Sequence, residues 1–93
     1  QEPAADLPLL LAALSSMRGR PVPTGWVVFG EVGLSGEIRP VPSGQERLQE
    51  ARKHGFTRAI VPKGNLAKKP IEGMKVTGVS HLGQALDAIA ELT

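Results

Sequence analysis

The chain has 93 residues, of which 41% are hydrophobic and 22% charged, with a formal net charge of +2. That is enough for one small soluble domain, and too apolar for a disordered tail. The absence of cysteine excludes a disulfide framework, a thiolate zinc site and a cysteine nucleophile, and fits a reducing compartment. No apolar run approaches the ~18 residues of a membrane span. The leucine-rich start lacks a basic leader, so a cytoplasmic location is expected. Trp26, Phe29 and Phe56 are the only aromatics. The core must therefore be aliphatic, and a base-stacking platform for single-stranded nucleic acid is not expected.

After a short lead-in, Asp6 fits an N-cap and Pro8 a first helical turn. The segment that follows is apolar all round, from Leu7 through Leu9, Leu10, Leu11, Ala12 and Ala13 to Leu14, which predicts a buried helix. Residues 20–25, with two prolines, read as a loop. Residues 26–32 form a predicted strand whose apolar start suits burial on both faces. Gly30, Gly33 and Gly36 permit a tight reversal into a second strand over 36–41, a hairpin partner or sheet-switching arm. Pro40 and Pro42 stop it. Ser43 and Glu46 match a capping box for a helix over 43–54, closed by Gly55. The apolar side of that helix is narrow, Leu48 and Ala51, with Gln45, Gln49 and Arg52 at helical spacing beside it. Residues 58–62 and 74–79 are predicted strands around a polar loop. Ser80 is the expected cap of a last helix with the stripe Leu82, Ala85, Leu86, Ile89. Strands alternating with helices predict an α/β (α+β) fold with helices on a small sheet.

Charge is unevenly placed. Eight of the eleven basic residues lie between Arg39 and Lys69, against only Glu46 and Glu50. Such a patch can attract phosphates, or it can be a solvated helix face and a polar loop. There is no Gly-x-x-x-x-Gly-Lys-Ser/Thr loop for ATP hydrolysis, and Gly33-x-x-Gly36 reads as a turn. His54 suits a helix C-terminus better than a metal site. A Ser43, His81 and Asp87 triad has nothing in its setting to support it. No catalytic or metal-ligating set emerges from the residues alone.

The words Gly30-Glu31-Val32, Gly36-Glu37-Ile38-Arg39-Pro40-Val41-Pro42-Ser43-Gly44-Gln45-Glu46-Arg47, His54-Gly55-Phe56 and Ala59-Ile60-Val61-Pro62 resemble the segment around the catalytic lysine of Lon-type serine proteases. They are most similar to the Lon-like C-terminal domain of the RadA (Sms) family of bacterial DNA-repair proteins. The resemblance implies a Lon proteolytic-domain-like, ribosomal protein S5 domain 2-type two-layer fold. This chain would be a single domain over 1–93, the C-terminal portion of that fold, with one sheet edge or helix face exposed or covered by another chain. Lon enzymes pair a serine in a Gly-Pro-Ser-Ala-Gly word with a lysine early in the helix after the proline break. The matching word here is Glu2-Pro3-Ala4-Ala5-Asp6, which puts Ala4 at the serine position and Gln45 at the lysine position. Neither can act, since an amide is no base near neutral pH. A domain without peptidase chemistry follows.

The same resemblance implies a parent with a zinc motif and a RecA-like ATPase upstream, using ATP, Mg and Zn, none of which this chain would hold. That parent forms hexameric rings, binds single-stranded or branched DNA, acts with RecA recombinase and promotes branch migration. The expected role is scaffold and DNA contact through Arg39, Arg47, Arg52, Lys53, Lys63, Lys68 and Lys69, point charges on phosphates without base readout. The alternatives are an oligomerisation-only module and the inactive Lon-like domain of a magnesium-chelatase-like competence protein. The Ser43-Gly44-Gln45-Glu46-Arg47 word favours the RadA family over the latter. A surviving peptidase is the remaining alternative.

Overall fold

The computed structural model describes residues 4–91. In chain order it has β1 (Ala5–Asp6), α1 (Leu7–Met17), β2 (Trp26–Val28), β3 (Glu31–Val32), β4 (Ile38–Arg39), α2 (Gly44–Lys53), β5 (Arg58–Pro62), a 3-10 turn (Lys63–Asn65), β6 (Lys75–Val79) and α3 (Leu82–Ala90). The α/β class read from the sequence is the one the chain adopts. Two small sheets result, one parallel in the order β2-β5-β6 and one antiparallel in the order β1-β3-β4.

The parallel sheet is covered on both faces, and strand alternation sorts its side chains accordingly. Val27, Ala59, Val61 and Val76 point to one side, where Phe29, Leu48, Ala51, Ile71 and Met74 complete a core under α2. Trp26, Val28, Ile60 and Val79 point to the other and meet Leu7, Leu11, Ala85 and Ile89 of α1 and α3. The stripe expected on α3 does this packing: Ala85 and Ile89 are buried, and Leu82 and Leu86 are partly buried against the same core.

The single strand expected over 26–32 is instead two strands in different sheets, broken at Phe29 and Gly30. Gly30 has φ +140, and a Cβ there would lie 3.0 Å from Pro62 and 3.2 Å from Leu7. Only glycine fits that crossing point. Its carbonyl accepts from the Leu7 amide at 3.0 Å, which pins the start of α1. The hairpin expected from Gly33 and Gly36 is present, with Glu31 opposite Arg39 and Val32 opposite Ile38.

The caps divide. Asp6 caps α1 as expected, accepting from the Leu9 amide at 3.0 Å, and Gly55 takes φ +90 after α2. The capping box at Ser43 does not form. Ser43 enters α2 in the left-handed region, φ 61 and ψ 37, and makes no side-chain cap bond, whereas a capping residue needs extended backbone to aim its oxygen. Ser80 does not cap α3 either. His81 does, its Nδ1 accepting from the Gly83 amide at 3.3 Å, while the amide and hydroxyl of Ser80 both donate to Oε1 of Gln84.

The helix expected to be buried all round is buried on one side only. Leu7, Leu11 and Ser15 are enclosed, but Leu9 is 74% and Met17 83% exposed. Two further apolar side chains, Leu34 at the hairpin tip and Leu66, are also exposed. No helix among the described residues is long and apolar enough to cross a membrane.

Candidate functional site

The sheet switch at Gly30 and the proline break at 40–42 leave an open cleft of about 490 Å³ between the two sheets and the start of α2. Ala4, Ala5, Asp6 and Pro8 form one wall, Phe29, Gly30 and Glu31 the floor, and Val41, Pro42 and Arg47 the opposite wall. Ala4, where the resemblance would seat the Lon nucleophile, is thus in the cleft and presents only a methyl group. Gln45, where the resemblance would seat the lysine, is exposed in the first turn of α2 and is not part of the cleft lining. The cleft carries a guanidinium of its own instead. Nε of Arg47 donates to the Pro42 carbonyl at 3.0 Å, and its Cζ lies 5.8 Å from the centroid of the Phe29 ring, within cation–π range. Asp6 and Glu31 stand opposite each other across β1 and β3, so the cleft holds both signs of charge.

Asn65 fixes the wall that bears Arg47. Its Oδ1 accepts from the Val41 amide and its Nδ2 donates to the Val41 carbonyl, both at 2.9 Å. The side-chain amide so completes the hydrogen bonds of a backbone flanked by two prolines, which could not enter a sheet ladder. It also packs on Gly44, where a Cβ would lie 2.6 Å from Nδ2. Asn65 has no periodic or motif signal in the sequence, and the contact spans 24 residues. Residue type alone, an Asn directly after Gly in a loop, hints at a turn and no more.

The seven cations expected to meet DNA do not form one patch. Arg39 and Arg47 flank the proline break, and Lys63 opens the 3-10 turn that carries Asn65 to it. Arg52 and Lys53 lie at the far end of α2, a helix of 10 residues and hence about 15 Å long. Lys68 and Lys69 sit on the crossover between β5 and β6. Three of the seven are engaged within the chain. Arg39 pairs with Glu37, Nη2 to Oε2 at 2.9 Å. That hydrogen bond, with backbone amides including that of Ser35, holds the Glu37 carboxyl below its ordinary value. Arg47 is bound as above, and Nε of Arg52 donates to the Glu72 carbonyl. Among the described residues, Lys53, Lys63, Lys68 and Lys69 have no side-chain partner.

The histidines are structural. Nε2 of His54 lies 3.1 Å from Glu50 at the end of α2. Nε2 of His81 donates to the Ser35 carbonyl at 3.1 Å while its Nδ1 accepts from Gly83. Both ring nitrogens of His81 are thereby occupied, and nothing links it to Ser43 as a triad would require. Among the described residues no group of three His, Cys, Asp or Glu converges as a metal site.

Comparison with known proteins places this geometry. The family described as subunit ChlI of Mg-chelatase matches residues 2–65. DNA repair protein RadA of Salmonella typhimurium (strain LT2) is 65% identical over 91 residues, 98% of this chain and 20% of that protein. The RadA proteins of Escherichia coli (strain K12) and Aquifex aeolicus are 63% and 46% identical, over 98% and 96% of this chain and 20% of each relative. The chain therefore spans about a fifth of the length of the curated relatives it matches. A Lon-like fold accords with the family match. This chain belongs to the family described as subunit ChlI of Mg-chelatase, and over nearly its whole length it is similar to the bacterial DNA repair proteins RadA.

Proposed function

We propose that the chain is a non-proteolytic, Lon-like scaffold and DNA-contacting domain of a RadA-like, ATP-dependent DNA-repair protein that promotes branch migration. The observation that carries this reading is the 65% identity to a DNA repair protein RadA across 98% of the chain. ATP, Mg and Zn belong, in this reading, to ATPase and zinc domains elsewhere in the parent, which works inside the cell as a hexameric ring with RecA recombinase. This chain's part is to hold shape and to meet phosphates. Ala4 offers no nucleophilic atom and the Gln45 amide no base, so the cleft does no peptide chemistry. Casein cleavage that disappears on mutating a residue of this chain would overturn that part.

The phosphate contacts of this reading are Arg47 and Arg52, each held through Nε, with Lys53, Lys63, Lys68 and Lys69, whereas Arg39 is paired with Glu37. Titration of labelled single-stranded and forked DNA across a salt series tests it. Affinity should fall steeply as salt rises, and Arg47→Gln with Lys63→Gln should flatten the log–log slope by about 1.4, at about 0.7 per single-strand contact. No binding at low salt would remove DNA contact from this domain and leave the scaffold. The exposed Leu9, Met17 and Leu34 favour a second reading, an oligomerisation module, whose signature is a change of assembly size without DNA binding.

A further inference from the structure

We propose that the groove between the 66–71 loop and β6 is a docking site for an acidic peptide carrying an apolar anchor residue. The groove encloses about 240 Å³. Its floor is Ile71 and Met74, both buried, with Val76 beside them. Leu66 forms a wall and stays 43% exposed. That wall is seated rather than loose, because Leu66 lies on Gly78, where a Cβ would meet its Cδ1 at 2.6 Å. Ala67 and Pro70 close the groove, and Lys68 and Lys69 are its charged members.

Three features select the ligand. The first is charge. No carboxylate lines the groove, and neither lysine has a side-chain partner among the described residues. Glu72 follows in the loop and brings one carboxylate near, while Arg52, bonded to the backbone carbonyl of Glu72, brings a third cation. The second is the apolar floor. A nucleic acid would use the lysines and leave Ile71, Met74 and Val76 wet, and there is no aromatic here on which a base could stack. An aliphatic or aromatic side chain would cover that floor, and the unbranched Met74 adapts its shape to what enters. The third is size, which suits one anchored side chain between flanking acids rather than an extended interface. Charge then steers the encounter and the buried anchor sets residence time. The inference goes beyond the DNA reading and takes Lys68 and Lys69 out of the phosphate-contacting set.

The test titrates the chain with the fluorescein-labelled peptide Asp-Glu-Asp-Leu-Phe-Asp, read by anisotropy and by amide chemical shifts. Saturable binding with shifts at Ile71, Met74 and Val76 is expected. A loss of at least tenfold should follow from Lys68→Glu with Lys69→Glu, two exposed positions that leave the core intact. The same loss should follow when Leu-Phe in the peptide becomes Ser-Ser. Equal binding of the serine peptide would overturn the proposal, because charge alone would then suffice. An oligothymidylate of equal charge shifting the same apolar amides would overturn it in favour of nucleic acid. Absence of saturable peptide binding would overturn it outright. None of these outcomes depends on Arg47 or Lys63, so the DNA reading stands or falls separately.

Discussion

Replacing Asn65 by Ala tests whether one side chain holds the wall of the cleft. Two hydrogen bonds of 2.9 Å would be lost at once, and the Val41 amide and carbonyl would lose their protein partners. At about 1 kcal/mol net per bond the loss is about 2 kcal/mol, with a small addition for the contact on Gly44. For a domain of this length that is a fall in Tm of about 8–16 °C, taking about 4–8 °C per kcal/mol. Urea unfolding followed by Trp26 fluorescence would give the free energy, and hydrogen exchange at the Val41 amide would localise it. Asn65→Asp sharpens the test. It keeps the acceptor for the Val41 amide but sets a carboxylate oxygen against the Val41 carbonyl, so at neutral pH it should destabilise at least as much as Ala. A loss below about 0.5 kcal/mol for Asn65→Ala, the range of neutral surface changes, would refute the clamp.

Further substitutions probe other joints. Gly30→Ala forces a Cβ into φ +140 and within 3.0 Å of Pro62, which should cost about 1–3 kcal/mol; an unchanged urea midpoint would contradict the crossing described. Glu37, its carboxyl held low first by the Arg39 hydrogen bond, contributes stability that is fully present above its ordinary value of 4.5 and lost as pH falls through the lower folded value. The stability gap between the native chain and Glu37→Gln should therefore close on the acid side of 4.5, and a gap independent of pH would refute the pairing. Leu9→Lys and Met17→Lys, on the exposed side of α1, should change stability by no more than about 0.5 kcal/mol. A loss several times larger would mean that this side is covered. His81→Ala should cost about 1–2 kcal/mol through the cap of α3 and the bond to the Ser35 carbonyl, and His81→Asn should restore the cap's share alone.

What the sequence made legible, and what it did not, follows the range of the interactions involved. β5, the α3 stripe, the Asp6 cap and Gly55 are set by residues within four positions of one another, where period and cap chemistry are local. The failures came where a distant group overrode a local signal. Val27, Val28 and Phe29 continue smoothly into Glu31 and Val32 as a pattern, and only Pro62 and Leu7, packed on Gly30, show that the chain must change sheets there. Ser43 and Glu46 have the spacing of a capping box, but Asn65 fixes Val41 two residues earlier and the chain enters α2 left-handed. The side chains of α1 are apolar all round, and periodicity cannot say which side finds a partner within 93 residues. The cleft was half legible. Ala4 was singled out by the likeness of its surrounding word and lines the cleft, whereas Arg47, Phe29 and Asn65 meet there only through the fold.

The cleft also shows why shape and chemistry separate in this chain. Its walls depend on the Gly30 crossing, the Asp6 cap and the Asn65 clamp. None of the three involves Ala4 or Gln45, the positions where the Lon resemblance would seat a nucleophile and a base. An alanine at the first costs the wall nothing, and a glutamine at the second is exposed at the start of α2. A constraint on the fold therefore leaves those two residues free to vary, while Gly30 and Asn65 are held by geometry. Arg47 gains most from that freedom. Held over Phe29 and tied to Pro42, it puts a fixed positive charge in the cleft wall without a lysine at position 45. In the proposed function that charge serves a phosphate, and the Gly30 crossing and the Asn65 clamp are what hold the wall that presents it.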